Sequence, residues 1–200
     1  MRIAFLIMAF LICSFKLLAQ EKEQKEVETY DYKTALKGGF MILYVVDDSM
    51  QRLYLKKGED IIAEIAAEEK GMLQKNLGYV GADFTDYFVL VHSYGGGNPH
   101  IIELIRKSTG ENILKNWAAW IDADETREYL FYCNRGAPDK KDKMILYNIR
   151  TGKRELFPFP ADIFDGSMIL YRIKLKRITK NKIVIEYSTQ KGVKLKSYGR

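Results

Sequence analysis

From Phe40 onward the chain is written as short apolar runs, rich in β-branched and aromatic residues, separated by clusters of Gly, Asn, Asp and Pro. The runs include 40–46, 52–55, 87–91, 101–105, 128–132, 144–149, 168–175 and 182–187. Runs of this length bounded by turn formers predict β-strands. Within 168–175, Ile169, Tyr171, Ile173 and Leu175 alternate with Leu170, Arg172, Lys174 and Lys176, the period of a strand with one wet face. Two stretches compete as helices: 60–71, with Ile61, Ile62 and Ile65 on one side, and 113–121, which contains Trp117 and Trp120. Both are short, and the chain as a whole predicts an all-β fold.

Gly58, Gly110, Gly152 and Gly192 each stand between two strand-like runs, at spacings of 52, 42 and 40 residues. A glycine there suits a hairpin turn, because positive φ costs it little. Upstream of two of them the correspondence extends: Ala82-Asp83-Phe84-Thr85 matches Ala123-Asp124-Glu125-Thr126, and an aromatic run follows each. Small sheets of about 40 residues cannot bury their own faces without neighbours, and that is the size of a propeller blade. The expected architecture is therefore antiparallel hairpin repeats, propeller-like, in about four units. A closed barrel of about eight to ten strands, built from the same hairpins, fits equally well.

Three stretches carry a family resemblance. They are Ala119-Trp120-Ile121-Asp122-Ala123-Asp124-Glu125-Thr126, then Tyr129-Leu130-Phe131-Tyr132-Cys133-Asn134-Arg135-Gly136, then Ile145-Leu146-Tyr147-Asn148 with Thr151-Gly152-Lys153. Together they resemble a WD-like β-propeller repeat of the Tol-system type. The family's pattern is a Trp-containing strand, an Asp-centred turn, an aromatic strand ending in Asn-Arg-Gly, and a strand leading to Thr-Gly. The resemblance covers one repeat and, less fully, a second over 81–114. That second stretch has Ser93-Tyr94-Gly95 in place of Asn-Arg-Gly and no Trp at its start, and Ile121-Asp122 replaces the family's Ser-Pro. The resemblance implies blade-like strands; a full propeller of six or more blades needs a longer chain.

The start of the chain has a different character. Arg2 precedes an unbroken apolar run from Ile3 to Cys13, and Leu17-Leu18-Ala19 follows a polar interruption at Ser14 and Lys16. The run suits a secretory signal over 1–19, with Ala19 at the cleavage site; the alternative is an uncleaved anchor. The expected destination is the periplasm or the exterior of a Gram-negative cell. Residues 20–39 are charged, poor in large aliphatics and closed by Gly38-Gly39, as in a solvated leader, which leaves 40–200 as a single all-β domain. Removing the signal removes Cys13, so Cys133 has no intrachain disulfide partner and reads as a small core residue.

Composition, at 47% hydrophobic and 29% charged, excludes a disordered or collagen-like chain. Two histidines and two cysteines leave little for His-based catalysis or a metal cluster, and no motif names a reaction. The acidic pairs Asp47-Asp48, Asp83 with Asp86, and Asp122 with Asp124 and Glu125 could serve as acid and base, but Asp at these places suits turn capping. His92 and His100 lack a third ligand at diagnostic spacing. Gly95-Gly96-Gly97 lacks the Lys-Ser/Thr of a phosphate loop, and Ser49, Ser93 and Ser167 stand in no nucleophile elbow. No catalytic residue, metal or cofactor is expected. Charge is the remaining signal: 168–200 holds ten Lys and Arg against Glu186 alone. Arg172, Lys174, Lys176, Lys182 and Lys194 are the candidate binding residues, for an acidic protein or an anionic glycan such as lipopolysaccharide. The same lysines could simply protect a solvated sheet edge. Nucleic acid is a poor partner for an exported protein, and no stacking motif accompanies the charge. The expected function is an exported, non-enzymatic binding module. The alternatives are a β-barrel carrier of a small apolar ligand and, behind it, an envelope hydrolase using the acidic turns at Asp83 or Asp124.

Overall fold

The computed structural model describes residues 32–47, 49–71, 77–134, 141–164 and 168–200. Among the described residues the turn formers mark off fourteen strands, all paired antiparallel with neighbours in sequence. β1 (Tyr32–Leu36), β2 (Phe40–Val46), β3 (Met50–Lys57) and β4 (Asp60–Glu69) form a four-stranded sheet in that order. A seven-stranded meander follows: β5 (Tyr79–Asp83), β6 (Tyr87–His92), β7 (Ile101–Arg106), β8 (Ala118–Asp124), β9 (Tyr129–Cys133), β10 (Lys143–Asn148) and β11 (Arg154–Pro158). The chain ends in a three-stranded sheet of β12 (Ile173–Ile178), β13 (Lys182–Thr189) and β14 (Gly192–Gly199). The fold is all-β. Among the described residues each sheet keeps two open edges, and these sheets do not close into the expected barrel.

The central strands bury both faces, which is why they read as continuous apolar runs. On β6, Phe88 and Leu90 pack with Ile42, Tyr44, Leu53 and Leu55 of the first sheet, while Val89 and Val91 join a second layer with Leu130 and Tyr132 of β9. On β9 the other two residues, Phe131 and Cys133, join a third layer with Ile183, Ile185 and Tyr187 of β13. The meander is thin at one place: β7 and β8 share only the pairs Ile101↔Ala119 and Ile102↔Ala118, and residues from both sides of that joint meet in the second layer.

One ambiguity is resolved and two expectations change. Stretch 60–71 is strand, not helix: bulges between Leu53/Tyr54 and Leu55/Lys56 shift the register against β3. The β4 residues that reach the core are therefore Ile62, Ile65 and Ala66, at the i, i+3, i+4 spacing that imitates a helix. Stretch 168–175 is not one strand, because Ile169–Arg172 is a 3₁₀ turn that buries the consecutive Ile169 and Leu170. The domain also begins earlier than Phe40. Residues 32–36 of the expected leader form β1, with Leu36 buried, and Gly38 at φ 79° turns the chain into β2. The expected signal and the rest of the leader lie outside the described residues.

All four spaced glycines have positive φ. At Gly110 and Gly152 the loops share a backbone hydrogen-bond frame. Each glycine N–H donates to the last residue of the preceding strand, Arg106 at 2.8 Å and Asn148 at 2.9 Å. The first loop residues, Lys107 and Ile149, donate in the same way to the Asp86 and Glu128 carbonyls, both at 2.9 Å.

The C-terminal residue ties two sheets. Arg200 makes a forked pair with Glu155 at 2.6 and 2.9 Å and donates to the Thr179 carbonyl and the Tyr129 hydroxyl. The guanidinium hydrogen bond holds the Glu155 carboxyl below its usual 4.5. A carboxyl depressed in the folded state stabilises fully above its unfolded value and loses that contribution as pH falls through the folded one. The urea midpoint of Glu155→Gln should accordingly fall less than that of the wild type between about pH 6 and pH 3. Parallel pH profiles would show that the pair contributes nothing.

Candidate functional site

The five basic candidates do not share one face. Arg172 closes the 3₁₀ turn, its guanidinium 4.2 Å above the Phe164 ring. Lys174 stands in register with Glu186, but a bulge between Leu175 and Arg177 displaces Lys176, which pairs with Glu186 at 3.1 Å. Lys182 is exposed at the start of β13. Lys194 is in register with Tyr187, whose side chain packs in the core, and pairs with Asp162 at 2.6 Å. That lysine and the Tyr187 hydroxyl hold the Asp162 carboxyl below the usual carboxylate range.

The acidic turns are engaged in structure. Asp47 accepts the N–H groups of Ser49 and Met50 at 3.0 and 2.7 Å, bonds that hold its carboxyl low. Asp83 accepts the Lys37 N–H at 2.7 Å and pairs with Lys107, also at 2.7 Å. Asp122 accepts from the Ala123 and Leu175 N–H groups, Asp124 from the Arg127 N–H and guanidinium, and Glu125 pairs with Lys37 at 3.0 Å. Asp47, Asp83, Asp122, Asp124 and Glu125 are thus each engaged by backbone N–H groups, a cation or both. Asp48 and Ser167 lie outside the described residues. His92 meets Glu103 at 2.9 Å, whereas His100 meets the Tyr79 hydroxyl at 3.3 Å and the edge of the Tyr171 ring. Although β6 and β7 place His92 beside Ile101, the two rings are held by different partners.

A cleft of about 280 Å³ opens where the 113–118 segment passes the end of β9 and the start of β11. Asn112 shapes this segment, its side-chain oxygen accepting the N–H groups of Leu104 at 3.3 Å and Leu114 at 3.0 Å. Ile113, Leu114 and Ala118 form an apolar wall, and Lys115, Asn116, Asn134 and Arg154 supply polar groups. Tyr132 also lines the cleft. It is 1% exposed, and its hydroxyl has no partner among the described residues. Burial raises the phenol above its usual value, with Arg154 acting the other way, so the hydroxyl remains a proton donor. Arg154 lies 5.0 Å over the Tyr147 ring, and Trp117, in the same segment, is 73% exposed. None of the cleft's polar residues stood out in the sequence as a site. Tyr132 looked like core because it is core; only the missing hydroxyl partner distinguishes it.

No protein-family model matches the chain, and neither a curated protein nor a solved structure does.

Proposed function

We propose that the protein is an exported, non-enzymatic binding module of blade-like sheets that takes an acidic protein segment along the edge of its C-terminal sheet. The supporting observation is β14. It is eight residues long and ends its sheet, with no strand on its outer side among the described residues. Such an edge presents unpaired N–H and C=O groups to an incoming strand. Val193 and Leu195 are 66% and 65% exposed there, and the surrounding segment carries ten cations against one acid. An acidic extended segment uses the backbone bonds, the apolar side chains and the charge together, whereas a glycan uses only the charge. A carrier reading finds no closed sheet among the described residues, and the hydrolase reading meets Asp83 and Asp124 already engaged by N–H groups and cations.

A photo-crosslinking residue placed at Leu195 in living cells tests the reading. One acidic protein should be captured, and capture should fall by about tenfold or more when Lys174, Lys176 and Lys182 are changed to Glu. Crosslinks to glycan alone, or unchanged capture by the reversed-charge variant, would overturn it.

A further inference from the structure

We propose that the cleft over Tyr132 binds a small organic carboxylate bearing hydroxyl groups, with the size and chemistry of a hexuronate. This inference rests on β8, β9 and β11 and is independent of the β14 edge. The first support is the Tyr132 hydroxyl, a buried donor without a partner among the described residues. Buried polar groups are almost always hydrogen-bonded, so an orphan on a residue that lines a cleft points to a guest that supplies the acceptor. The second is the sign of the lining. Lys115 and Arg154 border the space, no carboxylate of a described residue does, and neither cation forms an ion pair with a described residue. Arginine's planar fork matches a carboxylate with two parallel bonds.

The third support is the remainder of the wall. Asn116 and Asn134 can each donate and accept, as hydroxyl recognition requires. Ile113, Leu114 and Ala118 offer an apolar surface to the carbon face of a ring. A bare inorganic anion would leave that surface and the volume of about 280 Å³ largely unfilled. A monosaccharide acid fits a cleft just below the usual range for small-molecule sites, about 300–1,000 Å³.

Titration calorimetry with glucuronate, glucose and inorganic phosphate tests the inference on the purified protein. Glucuronate should bind saturably, and glucose about tenfold or more weakly. Arg154→Gln should weaken glucuronate binding by about 10–100-fold, and Tyr132→Phe by about 5–10-fold. Lys115→Gln, at an exposed position, gives a third reading with little risk to folding. Tyr132→Phe should leave the Tm of the free protein unchanged or higher, because it removes an unsatisfied donor. Equal binding of glucose, binding of phosphate without glucuronate, or indifference to all three substitutions would overturn the proposal. So would a markedly lower Tm for Tyr132→Phe, since the hydroxyl would then have an internal partner.

Discussion

Gly110→Ala is expected to destabilise the protein by about 3 kcal/mol or more, whereas Gly152→Ala should cost only about 1 kcal/mol. The two glycines have nearly the same backbone, φ +74° and +73°, in loops with the same hydrogen bonds. The strain of placing a Cβ at positive φ is therefore common to both. Their surroundings differ. A Cβ at Gly110 would lie 2.3 Å from the Ala63 Cβ and 3.3 Å from the Ile65 Cδ1, both on β4, while a Cβ at Gly152 meets nothing within 4 Å. The Ala63 Cβ is fixed to its own backbone and cannot swing aside, so the loop or β4 must move. Urea denaturation of the two variants measures the difference directly. Equal losses would mean that the 107–110 loop does not rest on the first sheet.

That comparison also shows how far the sequence could be read. Both glycines were legible as hairpin turns, because positive φ is a local demand and leaves a local mark. The close approach to Ala63 left none, since it joins positions far apart in the chain. The same division runs through the fold. Central strands such as β6 and β9 were legible because burial on both faces makes them uniformly apolar. β4 was not, because two bulges rearranged its inward residues into a helical spacing. Residues 169–172 failed for a related reason: alternation was present in the letters, yet Ile169 and Leu170 are both buried in a 3₁₀ turn. The paired words Ala82-Asp83 and Ala123-Asp124 looked equivalent, but Asp83 receives a buried lysine and Asp124 caps its own turn through Arg127. The alternation at 173–176 is likewise broken by a bulge at Lys176, which brings Lys176 onto the Glu186 that Lys174 already faces. The Tyr132 cleft required knowing what a hydroxyl fails to touch, which no pattern along a chain records.

Lys107→Met should cost about 3–5 kcal/mol, the usual penalty for removing one partner of a buried ion pair. Lys107 is 1% exposed, and its ammonium lies 2.7 Å from Asp83 while donating to the carbonyls of Phe84 at 2.6 Å, Lys37 at 3.0 Å and Thr85 at 3.3 Å. Three of these partners lie at the end of β5 and in the turn that follows it, and the fourth precedes β2, so one amine joins the first sheet to the second. Methionine keeps the stem's volume but leaves a carboxylate and three carbonyls without that donor. The chain shows what an apolar residue does at this loop position. Ile149 occupies it in the matching loop and lies in the core with no carboxylate to satisfy. Asp83→Asn should be costly alone, since it removes the charge that the buried ammonium faces. Combined with Lys107→Met it should cost less than the two single losses together, by about 1 kcal/mol or more, because neither charge is then left alone. Recovery should stay incomplete: Asp83 also accepts the Lys37 N–H at 2.7 Å, and the carbonyls remain. A double-mutant cycle by denaturant unfolding reads this coupling, and strictly additive losses would show that the two charges do not depend on each other in the folded protein.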